Sequence, residues 1–84
     1  MIAYVAVRDD VFSKTALVVE AGTRVRWTWR GESIHNVAVV KGPQKFRSGT
    51  KTEGRYTHKV TRPGTYKILC TIHAPDMKMT LTVK

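Results

Sequence analysis

Arg24-Val25-Arg26-Trp27-Thr28-Trp29-Arg30 alternates without a break. In an extended chain Val25, Trp27 and Trp29 fall on one side, and Arg24, Arg26, Thr28 and Arg30 on the other. The segment is therefore a β-strand with one buried and one wet face. Two tryptophans between arginines could also form a stacking platform for single-stranded nucleic acid. Burial is the better reading, because both aromatics share the face turned away from the charges.

Working outward, the neighbouring segments have the same character. Upstream, Glu20-Ala21-Gly22-Thr23 is a turn, preceded by strands over 16–20 and 2–7. Arg8-Asp9-Asp10 breaks the first strand, and Val11-Phe12 is expected to pack beneath the following turn. Downstream, Gly31-Glu32-Ser33 leads into a strand over 34–40 that sets His35 on one face with Val37 and Val39. Residues 41–54 shift to Gly, Pro, Lys, Ser and Thr, with Phe46 as the one large anchor, and read as the most mobile crossover loop. Strands follow over 55–60, over 65–70 beyond the turn Thr61-Arg62-Pro63-Gly64, and over 78–84. Tyr66, Ile68 and Cys70 share a face, as do Met79, Leu81 and Val83. About seven short strands with frequent turns predict an all-β protein, an antiparallel β-sandwich of Greek-key type.

The 84 residues are expected to form one domain, 1–84. No apolar run approaches the roughly 20 residues of a membrane-spanning helix. Lys and Arg number 15 against 6 acidic residues, for a net charge of +9. Such a surface steers toward acidic proteins, anionic membrane surfaces or nucleic acid. The basic residues are scattered singly and no nucleic-acid-binding signature is present, so redox partners with acidic docking surfaces are preferred. Peripheral association with an anionic membrane is a secondary expectation, nucleic acid is not expected, and nothing demands more than a monomer. The opening Met1-Ile2-Ala3-Tyr4-Val5-Ala6-Val7 reads as a strand, too short for a signal peptide.

The chemistry is concentrated in Cys70-Thr71-Ile72-His73-Ala74-Pro75-Asp76-Met77. A thiol, an imidazole and a thioether in one loop are soft or borderline donors that favour copper. The single cysteine excludes an internal disulfide, and metal ligation gives it a purpose. His35 and His58 are the upstream candidates for a second imidazole, and both have inward parity. Structural zinc normally takes a closed set of four Cys or His ligands, usually with several cysteines. A Cys–His hydrolase would need a base, an orienting group and an oxyanion site. Taken alone, Cys70 would be a buried core thiol, His35 a structural histidine and Met77 packing; the joint pattern carries the argument.

Over nearly its full length the chain resembles the cupredoxins of the plastocyanin group. The resemblance rests on Ala21-Gly22 before Val25-Arg26-Trp27, on Ile34-His35-Asn36-Val37, on Pro63-Gly64-Thr65-Tyr66, and on Cys70-x-x-His73 followed by Met77 and a last strand. It implies one type 1 copper ion held by His35, Cys70, His73 and Met77 near one end of the sandwich, with no role for His58. It also implies that Asn36 ties the two ligand loops together through the backbone at Thr71. His73 would then be the electron doorway, within an apolar patch of Ile72, Ala74 and Pro75. Met77 lies seven positions after Cys70, between the longer plastocyanin and the shorter amicyanin loop. Met79 is a rival axial donor, although its parity with Leu81 and Val83 assigns it to the core, and Asp76 is a third candidate.

The implied function is one-electron transfer between partner proteins by a Cu(I)/Cu(II) site, without substrate turnover. The alternative is a copper carrier or storage domain. The resemblance also implies a periplasmic or cell-surface location, with any signal or tether absent from this sequence.

Overall fold

In the computed structural model, residues 1–73 and 76–84 are described. Eight strands follow in order: β1 (Ile2–Arg8), β2 (Val11–Phe12), β3 (Ala16–Val19), β4 (Thr23–Trp29), β5 (Ala38–Lys41), β6 (Arg55–Val60), β7 (Gly64–Leu69) and β8 (Lys78–Val83). They form two four-stranded sheets, ordered β2-β1-β4-β6 and β3-β8-β7-β5. The expected β-sandwich is thus the architecture, and among the described residues there is no helix.

The alternation of β4 decides one face of the core. Val25 and Trp27 are fully buried and Trp29 nearly so, while Arg24 is exposed. From the other sheet, Tyr66, Ile68 and Leu81 are fully buried, with Met79 and Val83 beside them. Each such large apolar side chain contributes about 1.5–3 kcal/mol by leaving water. Val11-Phe12 does more than lie beneath a turn. It pairs with β1 as a short strand, and Phe12 enters the core.

Two pairings within the sandwich are parallel. β1 runs alongside β4 and β3 alongside β8, whereas β4–β6, β5–β7 and β7–β8 are antiparallel. Parallel neighbours need a crossover between them. The crossovers here come from the chain passing repeatedly from one sheet to the other, as the two strand orders require.

The region around His35 departs from the continuous strand expected over 34–40. Regular pairing is confined to Ala38–Lys41, and His35 sits ahead of it in an isolated bridge to Lys51. The backbone of 35–39 has groups that the sheet leaves free, and buried backbone groups need partners. The 41–54 segment supplies them. His35 N donates to Lys51 O at 2.9 Å, Lys51 N to His35 O at 3.0 Å, Ser48 N to Val37 O at 2.8 Å, and Val39 N to Phe46 O at 3.0 Å. Val37 N also donates to the buried Ser48 Oγ at 2.9 Å. The segment expected to be mobile is therefore pinned along residues 35–39, the stretch that carries His35 into β5. Phe46 is its anchor as expected, packing against Trp27, Tyr66 and His58.

Candidate metal centre

Three donors converge at one end of the sandwich. Cys70 follows β7 in the parity of Tyr66 and Ile68, which buries its thiol completely. The loop beyond it then folds back. Asp76 N and Met77 N both donate to His73 O, at 3.1 and 3.3 Å, and Cys70 N donates to Met77 O at 3.0 Å. This closure returns His73 toward the thiol. His35 reaches the same point from the other side, fixed by its bridge to Lys51 and by Trp29 Nε1, which donates to His35 O at 3.1 Å.

Both imidazoles present the same atom to the sulfur. His35 Nδ1 lies 3.8 Å and His73 Nδ1 3.6 Å from Cys70 Sγ, and the donor atoms of the three residues all lie within 4.8 Å of one another. His35 is fully buried, whereas the His73 side chain keeps 30% exposure. One thiol and two imidazole nitrogens around a common point fit the trigonal Cys-His-His set of electron-transfer copper better than a closed zinc tetrahedron. The donor chemistry therefore suits the metal that the sequence suggested.

Asn36 performs the tie expected of it. Thr71 N donates to Asn36 Oδ1 at 2.8 Å, and Asn36 Nδ2 donates in return to Thr71 Oγ1 at 2.9 Å. Met77 is fully buried at the base of the ligand loop. Met79 is also buried, and its sulfur lies 3.5 Å from Trp27 Nε1, which assigns that thioether a partner in the core. His58 is stacked on Phe46 at 4.0 Å, outside the converging group; burial pushes its imidazole below the usual range. Of the residues expected around the doorway, Ile72 is exposed, while Ala74 and Pro75 lie outside the described residues. Asp76 is exposed.

Two residues that the sequence reading used only to end a strand, Asp9 and Asp10, stand at the outer edges of the histidines. Asp9 Oδ1 is 3.3 Å from His35 Nε2, and Asp10 Oδ1 is 3.2 Å from His73 Nε2. The backbone N–H groups of Ser33 and Glu32, joined by His35, hold the Asp9 carboxyl below its ordinary range. A pair of adjacent acids in so basic a chain was the available signal.

Residues 4–84 match the profile of the copper binding proteins, plastocyanin/azurin family. The chain belongs to this family. Among relatives, this cupredoxin is 34% identical to a plastocyanin of Dryopteris crassirhizoma, over 98% of its own length and 100% of that protein. It is similar in structure to an oxidised amicyanin variant, with a TM-score of 0.85 and 28% identity over 98% of this chain and 81% of the other. A Cu(I) form of an amicyanin variant matches equally well, with a TM-score of 0.85 and 29% identity over 98% of this chain and 81% of that one. A copper-containing nitrite reductase of Thermus scotoductus matches with a TM-score of 0.85 and 26% identity, covering 100% of this chain but 22% of the reductase. Family membership and the His-Cys-His cluster together make this cupredoxin a one-electron carrier with one type 1 copper.

Proposed function

We propose that His35 Nδ1, Cys70 Sγ and His73 Nδ1 form the trigonal ligand plane of this cupredoxin and that Met77 supplies the weak axial thioether. The observation that carries the reading is the approach of both Nδ1 atoms to one buried sulfur, at 3.8 and 3.6 Å. Bound there, copper supplies a Cu(I)/Cu(II) couple. The protein's part is to hold the donors still. His35 is fixed by Lys51 and Trp29, and Cys70 by Met77 O and by the Asn36–Thr71 tie. A site that changes little between oxidation states exchanges an electron with little rearrangement.

The part-exposed His73 is the route for that electron, with the exposed Ile72 offering apolar contact beside it. The domain then works as a shuttle between larger redox proteins outside the cytoplasm, without a substrate of its own. The nitrite reductase likeness belongs to a protein more than four times longer and is read as reuse of the fold. The net charge of +9 favours partners with acidic docking faces.

Titration of the apoprotein with Cu(II) tests the reading. An intense thiolate-to-copper visible band with narrow copper hyperfine splitting is expected, and Cys70→Ser should abolish it. A colourless product from the native sequence would overturn the assignment. Slow electron self-exchange combined with ready transfer of Cu(I) to an acceptor would instead identify a copper carrier.

A further inference from the structure

We infer that Asp9 and Asp10 are positioning residues for the copper ligands, a carboxylate pair that fixes the orientation and tautomer of His35 and His73 and biases the site toward its more positive state. The inference rests on the reading of His35, Cys70 and His73 as ligands.

The tautomer follows from the partners. A carboxylate only accepts hydrogen bonds, so an imidazole nitrogen facing one carries the proton. Asp9 and Asp10 face Nε2 of His35 and His73 at 3.3 and 3.2 Å. Each neutral ring is then left with its lone pair on Nδ1, the atom that faces Cys70. Carboxylate–histidine–metal arrangements of this kind orient the ring and raise its basicity.

The turn is built to serve two rings at once. Consecutive residues of an extended strand point in opposite directions. Asp9 and Asp10 are the two-residue connection between β1 and β2, with Arg8 opposite Val11, and Asp10 has a left-handed φ of 66°. That conformation breaks the alternation, and neighbouring carboxylates reach two rings whose centroids are 4.8 Å apart. Asp9 is itself held in place. Its Oδ1 accepts from Glu32 N at 3.0 Å and from Ser33 N at 2.9 Å. A side chain at Gly31 would collide with it: a Cβ there would meet Asp9 Cγ at 2.6 Å and Asp9 N at 2.8 Å. The glycine is what allows the carboxylate to lie between the 31–33 turn and His35.

The charge has a direction of effect. Two carboxylates behind the ligand rings stabilise Cu(II) more than Cu(I), which lowers the reduction potential.

The test compares Asp10→Asn, Asp10→Ala and Asp9→Asn with the distant charge control Glu20→Gln. Cu(I) and Cu(II) affinities and the potential are measured for each, with 15N NMR of the histidine rings in the metal-free proteins. Asp10→Asn should weaken Cu(II) about tenfold more than Cu(I), a rise of ~59 mV for a one-electron couple. Glu20→Gln should leave both affinities unchanged. In metal-free Asp10→Ala, His73 should lose its preference for the Nε2–H tautomer, a readout that a purely structural role would not move. A native protein that turns blue while the aspartate variants keep native affinities, potential and tautomers would overturn this inference and leave the ligand set standing. A native protein that never turns blue would overturn both.

Discussion

Asn36 and Thr71 exchange two hydrogen bonds, one in each direction, and so join the residue after His35 to the residue after Cys70. His35 precedes β5 and Cys70 follows β7, where regular pairing stops, and this exchange replaces the ladder there. Asn36→Ala should leave the Thr71 N–H without its partner, at a cost of about 1–3 kcal/mol. Denaturant unfolding of the apoprotein measures that loss. Copper affinity should fall with it, because the ligand strands lose their tie.

The two methionines should separate cleanly. Met77→Leu should keep a blue site and raise its potential, since a weak donor that favours Cu(II) is removed. Met79→Leu should leave the potential near native and cost about 1–3 kcal/mol, because Trp27 Nε1 loses its sulfur partner. Voltammetry and thermal unfolding of both variants check the assignment; a potential shift confined to Met79→Leu would reverse it.

Gly31→Ala should act on the metal centre through Asp9. The new methyl group takes the space the carboxylate occupies, so the bonds to Glu32 and Ser33 should be lost. A destabilisation of about 1–3 kcal/mol is expected, accompanied by a potential shift in the direction of Asp9→Asn. Unfolding and voltammetry on one preparation test both effects.

Tyr66 gives the fold an alkaline limit. Its hydroxyl donates to Arg62 O at 2.6 Å, and burial pushes its phenol above the ordinary range, opposed in part by the Arg62 charge. Burial raises Tyr56 as well. A phenol raised in the folded state contributes stability in full below the unfolded value of about 10. That stability is lost as pH rises through the folded value. Alkaline unfolding should therefore accompany phenolate formation. Tyr66→Phe should weaken this pH dependence while costing about 1 kcal/mol at neutral pH.

If acidic partners are steered by the net charge of +9, association should slow as ionic strength rises. Stopped-flow rates with a small acidic redox protein measure this. A flat salt profile would mean that docking rests on the apolar contact at Ile72 and His73 instead.

Much of the fold was legible because its signals are local. Alternation placed Trp27 and Trp29 in the core, and parity carried Cys70 inward at the end of β7. The Cys70-x-x-His73 spacing needed only a closed turn to bring its two donors together. What escaped the reading depends on pairings distant in sequence. The parallel contacts of β1 with β4 and of β3 with β8 leave no mark in either strand alone. The polar composition of 41–54 suggested freedom, yet its backbone completes the hydrogen bonds of His35, Val37 and Val39. Asp9 and Asp10 looked like turn formers, which they are; their second role requires His35, 26 positions from Asp9, and the still more distant His73 beside Asp10 to be in place.

The pairing of β3 with β8 also constrains the order of assembly. β3 lies at a sheet edge and, among the described residues, has β8 as its only strand neighbour, so Ala16–Val19 can join the sheet only when Lys78–Val83 is in place. Long-range pairing of this kind is slow to form. The ligand loop lies directly between β7 and β8, and Cys70 N is bonded to Met77 O on the threshold of that last strand. Docking of β8 therefore closes the sheet and shelters the Cys70 sulfur, which is fully buried, in a single event.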